Sequence, residues 1–504
     1  MSFPILSTIV FAPLVGAAII AILPAGRRTA IRWVAAAATF VALALSVYLV
    51  FAYDKAAGGL QFVEQFRWIP FLGVDYHLAA DGISVVMLLL IGIIQFTGVF
   101  VSWRIEERTK EFFITLLGLA FAVSGVFASF DLFLLFVFFE FAVLPKFVLI
   151  AIWGSTKKEY AAMKLALYLV LGSAISLVAI LLLYFLTGLQ TFDLVKLSEF
   201  AFSVAEQKWL FALFFVGFAV QVPVWPLHSW LPDAHVAAPS AGSMMLAGVV
   251  MKLGAYAIIR VALTLFPAGA TYWAPYIAVF ALINVLYAAF VAMSQKDIKY
   301  LIANSSISHM GYAVLGIASL TVIGLSGAVL QLFAHGIMAA LLFALVGMVY
   351  DRTHTREIAA MGGLAAQLPL LATAFVIAGL TSLGLPSTSS FIAEFLVFTG
   401  TFPAYRIIAI LAIFGIVITA LYILRAVQRV FFGPAKEKFA GLRDARWSDM
   451  VALTVIIFFI VAVGVRPNLL TDLVNIGVQP LVAKIEAAAA TPAVALLHWW
   501  GGAR

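Results

Sequence analysis

Residues 218–256, FAVQVPVWPLHSWLPDAHVAAPSAGSMMLAGVVMKLGAY, begin and end as apolar helix. In the middle stand four prolines (Pro223, Pro226, Pro232, Pro239), two histidines (His228, His235) and Asp233. Proline inside a helix removes a backbone donor and clashes with the preceding turn. In lipid, a broken backbone is tolerated only where protein or water covers it. Lys252 follows in the apolar run LAGVVMKLGAYAII. A membrane lysine facing lipid is costly, so Lys252 is expected to face an internal wet path. A broken helix beside a buried lysine is the pattern of an ion-translocating protein.

The flanking sequence agrees. The chain has 504 residues, 65% hydrophobic and 11% charged. A soluble domain is roughly half apolar and about a quarter charged. The expectation is a polytopic membrane protein with almost no soluble domain. With no cysteine, disulfides, iron–sulfur clusters and thiolate metal sites are excluded. The net charge of +7 belongs to loop placement and does not call for a nucleic-acid partner. The first helix has no basic n-region or small-residue cleavage site and reads as a retained span.

A span needs about 20 apolar residues. The hydropathy pattern predicts helices near 4–23, 31–52, 81–103, 112–130, 131–153, 160–187, 208–236 (broken), 241–265, 273–293, 298–318, 322–350, 368–400 (broken), 403–432 and 449–470. This is an all-α polytopic fold of about fourteen transmembrane helices, with helices 7 and 12 broken. Residues 60–79 alternate aromatic and polar side chains around Gly73, which predicts a hairpin cap. Residues 191–206 alternate charge and apolarity at helical spacing, which predicts an interfacial helix. The Ala-rich tail 476–504, with Trp499 and Trp500, is expected at the interface. Of the 30 Lys and Arg residues, 18 fall in one set of links and 9 in the other, while Lys146, Lys252 and Arg425 lie at membrane depth. The richer side is assigned to the cytoplasm, with both termini outside a bacterial inner membrane.

Few groups in the predicted spans can ionise: Glu140, Lys146, Lys252, His309, His335 and Glu394, with Arg425 nearer a helix end. Titratable groups spread over several helices are what a proton relay requires. Gln331 precedes His335 by one turn and shares its face. Glu394 follows TSLGLPSTSSFIAEF, where Gly384 and Pro386 break the helix. Each has a plainer role to set against this: Glu140 a structural salt bridge, His309 a hydrogen bond within a polar face. Arg425 and Arg429 are read as snorkelling to headgroups. His228, Asp233 and His235 are read as bracing the end of the broken helix, since His-x6-His with one acid is a weak metal signal. No metal is assigned. The two broken helices lie five helices apart, so the second copy is inverted, and five-helix repeats near 112–265 and 273–432 follow. Residues 1–111 form an N-terminal three-helix segment, and 433–504 hold helix 14 and the tail.

These residues match a family pattern. VPVWPLHSWLPDAHVAAPSAGSMMLAGVVMKLGAYAIIR, QKDIKYLIANSSISHMGY, LPSTSSFIAEF, AADGIS and DRTHTREI resemble the antiporter-like membrane subunits of respiratory complex I, over nearly the whole chain. Glu394, where the sister L- and N-types carry lysine, makes the resemblance closest to the M-type. The resemblance implies fourteen helices in two inverted repeats and a central polar axis. It implies proton pumping coupled to quinone reduction in an NADH–quinone oxidoreductase. Glu140, Lys252 and Glu394 then match the helix-5 glutamate, helix-8 lysine and helix-12 terminal residue, and His309 and His335 match axis positions. Gln221 stands where the family has the helix-7 lysine, and Lys146 where M-type chains carry an apolar residue, so the ion-pair switch is altered. Lacking G-x-G-x-x-G after a strand, the chain is expected to bind no cofactor itself, leaving NADH and quinone to partner subunits. The expected partners are L- and N-type chains and lipid. The rival readings are a cation/proton antiporter subunit, a ferredoxin- or hydrogenase-linked complex, and a non-pumping scaffold.

Overall fold

A computed structural model of the chain describes residues 3–490. Helices α1 (Ile5–Ile22), α2 (Arg28–Ala52), α3 (Gly82–Val101), α4 (Thr109–Ala128), α5 (Leu132–Trp153) and α6 (Lys158–Thr187) open it. α7 is two pieces, Val204–Gln221 and Trp230–Ala237. α8 (Ser240–Leu263), α9 (Pro267–Met293), α10 (Ile298–Ala318) and α11 (Val322–Thr353) follow. α12 is again two pieces, Pro369–Ser382 and Ser389–Thr401. α13 (Arg406–Phe431), α14 (Trp447–Val465) and α15 (Asn468–Ala489) close the chain.

Among the described residues, eleven helices are long and apolar enough to cross a membrane. The chain is therefore an all-α polytopic membrane protein. The two pieces of α12 are too short for that measure, the first piece of α7 opens on Glu206, Gln207 and Lys208, and α10 carries Asn304, three serines and His309. α8 and α11 are buried on all sides at the centre of the bundle, whereas α6, α13 and α14 present open faces. The central pair is the one that carries Lys252 and His335.

The breaks have local causes. In α7, Pro223 and Pro226 leave backbone groups without helical partners. Asn284 of α9 satisfies two of them: its Oδ1 accepts from Trp225 N at 2.7 Å and its Nδ2 donates to Pro223 O at 3.1 Å. The Trp230 indole donates to Val220 O at 3.0 Å. α5 is interrupted at Ala142, because Pro145 cannot donate to the Phe141 carbonyl one turn back. α8 contains two π-helical segments, Leu246–Val250 and Ile258–Leu263, on either side of Lys252. Such wide turns reorient side chains locally and recur at functional sites.

The links sort onto two faces. One holds the basic links: Ile298 N donates to Arg356 O, and Ser155 N donates to Ala237 O. The opposite face holds the expected hairpin, strands β1 (Gln61–Ile69) and β2 (Val74–Ala80) in an antiparallel pair. Gly73 turns it at φ +70°, a conformation that favours glycine. α15 also packs on the N-terminal ends of α3 and α11, where Ser326 Oγ meets Asn475 Oδ1 at 2.7 Å.

Three sequence expectations shift. The interfacial helix over 191–206 is a single turn, Leu194–Leu197, because Asp193 caps it and a Ser203–Glu206 capping box starts α7 at Val204. α9 begins at Pro267 rather than 273, since proline suits the first helical turn. The end of the chain is helical from Asn468, well before the expected tail; Trp499 and Trp500 lie outside the described residues.

Asp131 caps α5 by accepting from Leu134 N at 2.9 Å, and also accepts from Asp75 N at 3.1 Å. Burial, with a smaller contribution from the Asp193 carboxylate, pushes its carboxyl up to about 6. The folded chain thus holds the proton more tightly than the unfolded chain does. Its stabilising contribution is full below about pH 4 and is lost as pH rises through about 6. The shift corresponds to about 2–3 kcal/mol. Thermal unfolding midpoints measured from pH 4 to 7 should fall with rising pH in the wild type. Asp131→Asn, which keeps a capping oxygen, should flatten that profile.

Candidate functional site

A close helix crossing brings the central polar groups together. A Cβ on Gly336 of α11 would stand 2.7 Å from Gly248 O of α8, so the two backbones touch only because glycine is there. Lys252 stands four residues beyond Gly248 on α8, and His335 one residue before Gly336 on α11. The Lys252 amine donates to His335 Nδ1 at 2.7 Å and also contacts Ala247 O. When the amine carries its proton it has only donors, so Nδ1 then accepts and Nε2 carries the ring proton.

From His335 the line continues into α10 and α12. The His335 and His309 rings lie 5.5 Å apart between centroids. His309 Nε2 meets Ser382 Oγ, at the end of the first piece of α12, at 3.1 Å. His309 Nδ1 faces Glu394 Oε1, on the second piece, at 3.4 Å without hydrogen-bond alignment. Gly384, at φ +61°, lets the broken loop lie directly on the Glu394 carboxylate, where a Cβ would collide. All four titratable side chains are buried, none more than 3% exposed.

Along this line several polar atoms lack partners: His335 Nε2, His309 Nδ1, Glu394 Oε1 and both amide atoms of Gln331. Buried polar atoms left unsatisfied are costly in a dry interior. Groups of this kind call for water or a movable partner. The expected set Lys252, His309, His335 and Glu394 is thus contiguous, and Gln331 lies beside it.

The other expected members form a second group. Gln221 is buried and its Nε2 donates at 3.0 Å to the carbonyl of Val250, the last residue of the first π-helical segment and two residues before Lys252. Lys146 is 1% exposed and its amine makes no hydrogen bond. Glu140 is half-buried, with Oε1 unpartnered, and its charge is the one that acts on Lys146. Arg425 and Arg429 are exposed.

Bracing of the broken helix falls to Asp233, which takes Lys164 Nζ at 2.7 Å and the Tyr300 hydroxyl at 3.2 Å. His228 packs edge-on against Tyr287. His235 makes no side-chain hydrogen bond at all, contrary to the bracing expected of it. Among the described residues, no group of three His, Cys, Asp or Glu side chains could hold a metal.

Sequence reading also missed a buried cluster at the hairpin face. Arg260, read as a loop cation, pairs with Asp81 at 2.7 Å. It also reaches the Tyr256 hydroxyl at 3.2 Å, which meets Ser84 Oγ and donates to Phe127 O, both at 2.9 Å. The i, i+4, i+8 spacing of Lys252, Tyr256 and Arg260 was the available signal.

The chain is similar to known proteins over nearly its whole length. Residues 129–419 match the family model described as NADH:quinone oxidoreductase/Mrp antiporter, transmembrane. NADH-quinone oxidoreductase subunit M of Rhodobacter capsulatus is 39% identical over 96% of this chain and 97% of its own. NAD(P)H-quinone oxidoreductase chain 4 of Acaryochloris marina is 37% identical, over 98% and 95%. A chain of respiratory complex I from Thermus thermophilus superimposes with a TM-score of 0.89 at 30% identity, covering 97% of this chain and all of that one. The chain therefore belongs to the NADH:quinone oxidoreductase/Mrp antiporter family of membrane subunits, and within it to the subunit M and chain 4 type.

Proposed function

We propose that this chain is the proton-translocating membrane-arm subunit of an NADH–quinone oxidoreductase, coupling quinone reduction in partner subunits to proton pumping. The observation that carries this reading is the contiguous buried line Lys252–His335–His309–Glu394. Fourteen helices cross a bacterial inner membrane in this reading: the eleven apolar ones together with α7, α10 and α12. They form two inverted repeats, near 112–265 and 273–432, that place one broken helix in each half. The face with the basic links is cytoplasmic, both termini are outside, and L- and N-type antiporter-like chains adjoin the bundle.

The mechanism is electrostatic. A charge change arriving at Glu140 and Lys146 alters the balance at Lys252, which stands beyond Gln221. The Lys252 amine passes its proton to His335 Nδ1 as Nε2 releases its own toward His309. His309 delivers to Glu394, and water fills the 5.5 Å gap between the rings. After one transfer Lys252 is neutral until a proton reloads it, Glu394 holds the proton until it releases it, and His335 resets by returning its ring proton from Nδ1 to Nε2. NADH, flavin and quinone chemistry belongs to the partners, and this chain is proposed to hold no cofactor.

Lys252→Met removes the central carrier while keeping the stem's length. The variant complex should assemble and lose most of the pumping this subunit contributes, measured as protons moved per electron in proteoliposomes. A wild-type ratio would refute the role. Sodium-driven proton movement without a redox donor would favour the antiporter reading instead.

Lys146 and Glu140 are proposed to be the switch. Both carry buried, unpartnered polar atoms on one helix, and the interruption at Ala142 lies between them. Six residues at 3.6 per turn leave the side chains roughly 120° apart, a gap that the break and the long lysine stem reduce. Gln221 is the hydrogen-bonding neighbour in place of a helix-7 cation. Lys146→Met should uncouple quinone reduction from pumping, and adding Gln221→Lys should restore part of it. Unchanged pumping in Lys146→Met would return the cation's role to packing.

A further inference from the structure

α6, the first piece of α7 and the start of α9 leave a groove of about 680 Å³ between them. Its mouth is at the hairpin face: Gly73, which turns the hairpin, lies against Gln190 in the link from α6 to α7. From there the groove follows α7 from Lys208 past Ala212 to Val216. Eight residues of helix cover about 12 Å. Half of a bilayer's hydrocarbon core is about 15 Å. At the depth of Val216 two of the walls meet. A Cβ on Gly172 of α6 would stand 2.8 Å from Gly217 O of α7, so the backbones touch there. The groove therefore occupies one leaflet and ends near the midplane. A neighbouring transmembrane helix needs a seat across the full core, about 30 Å. An acyl chain entering from one surface needs only half of it.

The walls suit such a chain. Ile175, Ala212, Leu213 and Val216 are apolar along their whole length, and Val216 is 42% exposed on the outer face of the bundle. At the mouth stand Trp209, Tyr272 and Trp273, side chains that sit at the level of lipid headgroups.

Lys208 gives the groove a polar end. Its ammonium lies 4.3 Å from the centre of the Tyr272 ring. Its carbonyl accepts from the Trp273 indole at 2.8 Å. α9 thus holds this lysine over the mouth by its backbone and by its charged tip, where an interfacial lysine ordinarily snorkels freely. The ring face attracts the charge but leaves ammonium donors unused. Other cations on this side of the bundle have acids: Lys55 meets Asp472 at 2.9 Å and Arg260 meets Asp81 at 2.7 Å. Among the described residues, no carboxylate lies within ion-pair distance of Lys208.

We propose that this groove is a binding site for an anionic glycerophospholipid of the bilayer. The phosphate accepts from the Lys208 ammonium in a charge-assisted hydrogen bond. One acyl chain lies along Ala212, Leu213 and Val216 and seals the seam between α6, α7 and α9. The site does not depend on the pumping role proposed above.

The test uses the assembled complex in phosphatidylcholine nanodiscs containing phosphatidylglycerol with a photoreactive group on one acyl chain. Labelled residues are located by peptide mass spectrometry, and phosphatidylcholine with the same photoreactive chain is the control. In the wild type the phosphatidylglycerol probe should label residues 212–216 and the phosphatidylcholine probe should label them far less. Lys208→Gln should cut the labelling about fivefold, as loss of one cation near an anionic lipid does, and Lys208→Arg should keep it. Ala212→Trp fills the groove, leaves the cation and should abolish the labelling. Equal labelling by the two probes, or unchanged labelling in Lys208→Gln, would mean contact with bulk lipid only and would overturn the site. An unlabelled wild type would overturn it as well, since a neighbouring subunit then covers the groove. If Ala212→Trp prevents assembly, the two Lys208 variants decide the matter.

Discussion

The contact on which the rest depends is the Lys252 amine against His335 Nδ1, 2.7 Å across the crossing of two fully buried helices. A lysine in the middle of a membrane protein forfeits its hydration, a cost of several kcal/mol that no nearby carboxylate offsets here. The structure gives the amine polar contacts instead of a carboxylate partner. The amine takes a backbone carbonyl of its own helix and an imidazole of the next. The arrangement leaves Lys252 a proton to give and a ready acceptor for it. A salt bridge at the same place would stabilise the charge and hold the proton. The π-turns flanking Lys252, the Gly248–Gly336 approach and the Asn284 brace on the neighbouring break all serve to place this one amine.

The two broken helices have different tasks within that frame. The α12 break puts Glu394 at the end of the line and covers it with the Gly384 turn. The α7 break puts the Gln221 amide on Val250 O, two residues before Lys252, and sets the His235 carbonyl on Ser243 of α8. Pro223 and Pro226 in α7, and Gly384 and Pro386 in α12, free backbone groups that a lipid-facing segment could not leave free. Exposed apolar side chains on α2, α6, α13 and α14 face outward, while the polar line stays inside.

Much of this was legible in the sequence because charge is so rare in apolar helices. Lys252, His309, His335 and Glu394 could be picked out singly, and the two breaks followed from Pro223, Pro226, Gly384 and Pro386. Their order in space was not legible, since it depends on how closely α8 and α11 cross. The π-turns carry no composition signal. α15 was hidden because an amphipathic helix on a surface lacks the apolar run that marks a span. His235 was passed over because Asp233 beside it suggested a brace. That the ring is unpartnered is a property of its surroundings in the fold, not of the residues next to it in the chain.

The central claim is that protons traverse the buried line and leave it through Glu394. It is tested most directly by the number of protons pumped per electron in reconstituted complexes carrying Glu394→Gln or Glu394→Asp. A terminal group must both accept and release a proton, which glutamine cannot do and aspartate can. The account predicts a reduced ratio for Glu394→Gln and a partly preserved one for Glu394→Asp. A wild-type ratio for Glu394→Gln would contradict it and place the outlet elsewhere.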